Sequence, residues 1–180
     1  YRIMYGGEAE ERSESVSRLV GTFATFLLLM VAVVVLSLNS FGQAAIIGLV
    51  GFLSVGLALF GVRLFGLPMG FNALIGTLGL VGLAINGAII VLSALKADPA
   101  ASRGETSAAA DVVLDATRHI VSTTVTTIGG FVPLIFFGGT FWPPLATAIA
   151  GGVAGSAILA LYTVPAIHVA RGRRAARRAA

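Results

Sequence analysis

Polar side chains are scarce in the apolar stretches of this 180-residue chain, and those present are grouped. Asn86 stands alone within Gly82-Leu83-Ala84-Ile85-Asn86-Gly87-Ala88-Ile89. Ser122, Thr123, Thr124, Thr126 and Thr127 crowd together directly after Arg118-His119. Hydroxyls at 123 and 127, or at 122 and 126, share one helix face at i, i+4 spacing. An amide in hydrocarbon must find a partner or pay several kcal/mol. Two chemistries fit the hydroxyls: bonding back to their own helix carbonyls, or a hydrated, hydrogen-bonded seam facing Asn86. Catalytic constellations are missing. No HExxH, GxSxG or GKS/T run occurs, and there are no cysteines. His168 follows Ser156 by roughly 18 Å of helix, too far for a nucleophile and its base. His119 and His168 read as interfacial side chains. The expectation is therefore no catalytic residue, no metal site and no cofactor.

The elements that must hold these groups are membrane spans. Hydrophobic residues make up 57% of the chain, charged residues 11%, and the mean hydropathy is +0.95. Soluble domains carry roughly a quarter of their residues charged, so a soluble enzyme, a disordered tail and a nucleic-acid binder are excluded. The pI of about 10.3 owes much to five arginines in the last ten positions, a membrane-flanking tail. With about 20 apolar residues per span, the charge-free runs and their breaks predict five spans, at about 19–38, 43–62, 71–95, 120–137 and 145–169. The breaks are Asn39 to Gln43, Phe65 to Gly70, and Phe136 to Pro144. The predicted fold is an all-α membrane protein, a five-helix transmembrane bundle over 18–170. Residues 1–17 form a leading segment and 171–180 a basic tail. The start at Tyr1, with neither Met nor signal pattern, suggests a piece of a longer protein.

Five spans put the ends on opposite sides. With the C-terminus cytoplasmic, Lys96, Arg103, Arg118 and the tail arginines lie inside, against Arg2, Arg12, Arg18 and Arg63 outside, as the positive-inside rule favours. Between the third and fourth spans, Ala108, Val112, Val113 and Ala116 recur at helical spacing against Asp111, Asp115 and Arg118. An amphipathic cytoplasmic helix at about 104–117 is expected, interfacial or solvated. Gly76, Gly79 and Gly82, and the small-xxx-small pairs of Gly151, Gly152, Gly155 and Ser156, offer close helix contacts.

The chain resembles the C-terminal transmembrane part of a resistance-nodulation-division (RND) efflux permease, of the hydrophobe/amphiphile branch. Four segments carry the likeness: Tyr5-Gly6-Gly7-Glu8-Ala9-Glu10-Glu11; Gly82 to Ile89; Arg118 to Thr124 with Val132-Pro133-Leu134; and Phe141-Trp142-Pro143-Pro144-Leu145-Ala146 with Gly151-Gly152 and Val164-Pro165. The resemblance implies spans eight to twelve of a twelve-span protomer. The first segment would then close a periplasmic porter domain.

It further implies a secondary active transporter rather than an enzyme: a homotrimeric, proton-antiporting pump of the bacterial inner membrane. Its partners would be membrane lipid, the other half of the same permease, a periplasmic adaptor and an outer-membrane channel, with no nucleic acid. In the family, a proton relay joins an acidic pair on the fourth span to groups on the tenth and eleventh. By this likeness Asn86, Thr123, Thr124 and Thr127 are relay candidates, with Arg118 as basic support. The family's tenth-span lysine falls at Ile85, an acidic position of some branches at Gly87, and a family arginine at Ala116. These departures leave the proton site to the other half, or to a different coupling. A membrane-embedded assembly or scaffold subunit, or a protein-export accessory of the same superfamily, is the alternative.

The absence of native cysteine makes the predicted topology directly testable. In intact cells an impermeant thiol reagent should label Tyr5→Cys and spare Ala175→Cys; the reverse pattern inverts the topology.

Overall fold

The computed structural model describes residues 8–179, with side-chain surroundings from Val16 to Arg174. Tyr5, Gly6 and Gly7 of the first resembling segment lie outside the described residues. The described chain is helical: α1 Glu8–Leu38, α2 Phe41–Leu64, α3 Phe71–Ala97, α4 Pro99–Ser102, α5 Thr106–Phe137 and α6 Trp142–Ala179. Five of these helices are long and apolar enough to cross a membrane.

The connections are short and their chemistry is local. Asn39 takes a left-handed φ of 48° between α1 and α2, and Gly66 one of 66° after α2. The Asp98 carboxylate caps α4, its Oδ1 accepting from Ala100 N at 2.9 Å and Ala101 N at 2.7 Å, with Pro99 in the first turn. Gly104 combines a φ of 88° with close approach to α6: a Cβ there would lie 3.0 Å from Arg173 N. No other residue type meets both demands.

Three helix ends differ from the sequence expectation. The first span's helix begins at Glu8, well before the apolar run that predicts the span. The segment at 104–117 is not a separate amphipathic helix. From Thr106 it forms the opening turns of α5, which meets no proline before Pro133. α6 starts at Trp142 and takes Pro143 and Pro144 into its first turn, where the missing N–H groups would have had no partner.

α6 is the centre of the bundle, packing on α2, α3 and α5, while α1 touches α2 and, slightly, α3. The core divides into two apolar clusters. One gathers Ile47, Val50, Leu92, Leu95, Ile120 and Val164; the other gathers Ala58, Val62, Leu80, Ala148 and Val153. Polar ties mark opposite ends of the bundle. Lys96 Nζ donates to the last carbonyl of α1, Leu38 O, at 2.7 Å, and Arg171 Nη1 to Gly42 O at 2.6 Å. At the other end Asn72 Nδ2 donates to Phe141 O at 2.7 Å.

Glycines set the helix separations selectively. A Cβ on Gly76 would meet Leu145 O at 2.6 Å and Leu145 Cα at 3.0 Å, and one on Gly61 would meet Gly151 Cα at 3.4 Å. Gly79 and Gly82 face open space. Of the α3 glycine row, then, Gly76 is the position that brings two backbones together. Gly76→Ala should destabilise the purified protein by about 1–3 kcal/mol through forced overpacking. Gly79→Ala should be neutral or stabilise it by up to about 1 kcal/mol. Thermal unfolding in detergent distinguishes the two.

Candidate functional site

Asn86 lies near the middle of α3 and is exposed, whereas its neighbour Ile85 is 5% exposed and packs towards α2. A Cβ added to Gly51 would sit 3.3 Å from Ile85 Cγ2. One step of about 100° around the helix separates the two directions, so the position matching the family lysine and the matching asparagine face different surroundings.

Asn86 opens onto a cavity of about 310 Å³. α3 contributes Leu83, Asn86 and Ile90 to its wall; α5 contributes His119, Thr123, Thr124 and Thr127; α6 supplies Val153 and Ser156. Gly87 lets the three helices converge at its edge, because a Cβ there would already touch Ala160 Cβ at 3.4 Å and Ile120 Cγ2 at 3.9 Å. Asn86, Thr123, Thr124 and Thr127 thus share one space. Arg118 is exposed and lies outside this lining, as do Ser122 and Thr126.

Several hydroxyl protons on α5 point into the helix, though that of Thr124 does not. Thr123 Oγ1 donates to His119 O at 3.0 Å, and Thr127 Oγ1 to Thr123 O at 2.8 Å. Thr126 Oγ1 is shared between Ser122 O and Thr123 O, both at 3.0 Å. Ser156 Oγ donates to Val153 O at 2.9 Å. With their donors engaged, these oxygens keep lone pairs as acceptors, while Asn86 brings both a donor and an acceptor. The lining therefore offers fixed acceptors at Thr123, Thr127 and Ser156 beside donors at Asn86 and Thr124, a mixture that suits water.

Two lining groups escape a reading of the sequence alone. His119, which reads there as an interfacial residue, is in the cavity wall; its signal was the i, i+4 row 119, 123, 127. Ser156 reads as one half of a small-xxx-small pair and supplies the α6 side. His168 is half-buried elsewhere on α6, outside the cavity lining. A larger groove of about 580 Å³ runs between α5 and α6, but its walls, such as Ala109, Val113, Leu114, Pro165 and Val169, are mostly aliphatic. The smaller cavity is where polar groups converge, which is the mark of a specific site.

Helices of membrane-crossing length around an open cavity with polar groups in its wall define a multi-pass membrane protein. Residues 1–171 match the family described as the AcrB/AcrD/AcrF family, and the chain belongs to it, among the RND permeases. It is 24% identical to the nickel and cobalt resistance protein CnrA of Cupriavidus metallidurans, over 92% of this chain and 16% of that protein. To the cobalt-zinc-cadmium resistance protein CzcA of the same organism it is 26% identical, over 93% and 16%. To the multidrug resistance protein MdtC of Salmonella enteritidis it is 33% identical, over 62% and 11%. The chain thus spans at most 16% of the length of these relatives.

The burial of Ile85 yields a prediction about the lysine position. Ile85→Lys would place an ammonium against the α2 backbone at Gly51, at a cost of several kcal/mol if it finds no partner. It should sharply lower the yield of folded protein in detergent, whereas the volume-conserving Ile85→Met should leave it near normal.

Proposed function

We propose that this chain is the C-terminal membrane part of a proton-driven exporter, and that its hydroxyl-lined cavity is one side of the ion-coupling site. The observation that carries this reading is the convergence of Asn86, Thr123, Thr124 and Thr127 on one open cavity within otherwise apolar spans. A proton path through hydrocarbon needs polar groups and water where lipid would exclude both. Neither an amide nor a threonine hydroxyl titrates near neutral pH, so these groups orient water or hydrogen-bond an acidic pair supplied by the rest of the permease. The whole pump would be a homotrimer in the bacterial inner membrane, working with a periplasmic adaptor and an outer-membrane channel. Its N-terminal side would face the periplasm and its arginine-rich tail the cytoplasm. The relatives' names speak of nickel, cobalt, zinc and cadmium in two cases and of multiple drugs in another. The cargo is thus a metal cation or an organic compound, a wider choice than the hydrophobe/amphiphile branch alone.

A purely structural role for the seam, as glue between helices in a scaffold subunit, is the competing reading, and the back-bonded hydroxyls favour it to that extent. In the full-length permease, Asn86→Ala and Thr123→Val should each cut proton-driven efflux about tenfold or more while expression and trimer assembly stay near normal. Wild-type efflux in both variants would reject the coupling role and leave the packing one.

A further inference from the structure

In the ion-coupling reading the acidic pair comes from the rest of the permease, and on this chain's own side most of the cavity lining cannot titrate. From α3 the lining is Leu83, Asn86, Gly87, Ile89 and Ile90; from α6 it is Val153, Ser156 and Ala157. From α5, beside Ile120 and three threonines, comes His119. Among the described residues that line the cavity, His119 is the one titratable side chain. Imidazole is also the side chain whose charge changes nearest neutral pH.

We propose that His119 is the proton carrier of this cavity, a role that rests on the ion-coupling reading above. The residue is exposed, and neither ring nitrogen bonds to another described residue. Its backbone is anchored, since its carbonyl receives the Thr123 hydroxyl at 3.0 Å. The anchor holds the imidazole one helical turn from Thr123, at the end of the hydroxyl row nearer the start of α5. Thr123 and Thr127 offer acceptor lone pairs that order water towards the ring.

The transfer balances simply. Cavity water delivers a proton to the unprotonated ring nitrogen, giving imidazolium. The other nitrogen then releases its proton to water on the far side, and the ring returns as neutral imidazole in the opposite tautomer. Rotation of the neutral ring about its Cβ–Cγ bond turns the bare nitrogen back to the incoming side, and one proton has moved.

The charged neighbours are few. On α5 itself Arg118 adjoins the histidine and Asp115 lies one turn back, both exposed; α3 and α6 present no charged group to the cavity.

The test uses full-length permease in proteoliposomes, with proton flux and efflux measured across a pH series from about 5 to 8. His119→Asn keeps size and polarity without titrating. It should lower coupled flux about tenfold or more and flatten the remaining pH dependence, with trimer assembly unchanged. His119→Ala should lose flux similarly and regain it when imidazole is added, since imidazole is small enough to enter the cavity. If His119→Asn transports with the wild-type rate and pH profile while Asn86→Ala fails, the proton-carrier role is overturned and the coupling reading stands. If both variants transport normally, both fall. Loss in both histidine variants without imidazole rescue assigns His119 a structural part and also overturns the proposal.

Discussion

Everything in the bundle hangs on the close seating of α6 against α2 and α3. Lipid chains are as apolar as leucine, so burial of apolar surface cannot drive these helices together as it would in water. Contact area and dispersion must do so, and both grow as backbones approach. Gly61 against Gly151, and Gly76 against Leu145, are where that approach is made. With α6 fixed this way, α3 and α5 become neighbours largely because each packs on α6. They converge where Gly87 leaves room, near Ile120 and Ala160. Beyond that point they part, and the cavity is the space between them.

The cavity's chemistry follows from how helices in lipid treat hydroxyls. A free O–H in hydrocarbon is costly, so threonine donates back to the carbonyl of the preceding turn, as Thr77 and Ser54 also do inside the core. The motif is thus indifferent to function in itself. Placed along a cavity wall, however, it turns a row of hydroxyls into a row of fixed acceptors, pre-oriented by the helix and needing no rearrangement to receive a donor. The same local rule that stabilises a span makes its exposed face selective for water and protonated groups.

Five apolar helices were legible in the sequence because charges and glycine-proline breaks divide the hydrophobic runs cleanly. The polar positions worth attention were legible for the complementary reason: Asn86 and the threonine cluster are conspicuous against leucine, valine and isoleucine. Helix ends were less so, since proline reads as a breaker until it is seen to occupy a first turn, as Pro143 and Pro144 do. Directions around each helix were the least legible. Whether residue 85 or residue 86 faces the cavity depends on where Gly51 admits a side chain, which is a tertiary fact. His119 was missed because Arg118-His119 resembles the charged edge of a span. Only the continuity of α5 from Thr106 to Phe137 puts the histidine in a wall instead of at a border.

The exposure of Asn86 carries the argument one step further. Many exposed side chains of these spans are large and apolar, Phe26, Leu28 and Val33 among them, at ease in lipid. Asn86 is exposed near the middle of α3 with no hydrogen bond to another described residue, and hydrocarbon offers an amide none. In a membrane such a group is sustained by water or by a polar surface of protein lying across the opening. Lipid alone would penalise the cavity by several kcal/mol and favour its collapse. An open polar cavity at mid-span is therefore stable only where water or a polar protein surface covers it, and the proposed coupling site asks for a polar protein surface there to supply its acids. Stability and function then make one demand of whatever covers the cavity: it must bring polar groups to Asn86.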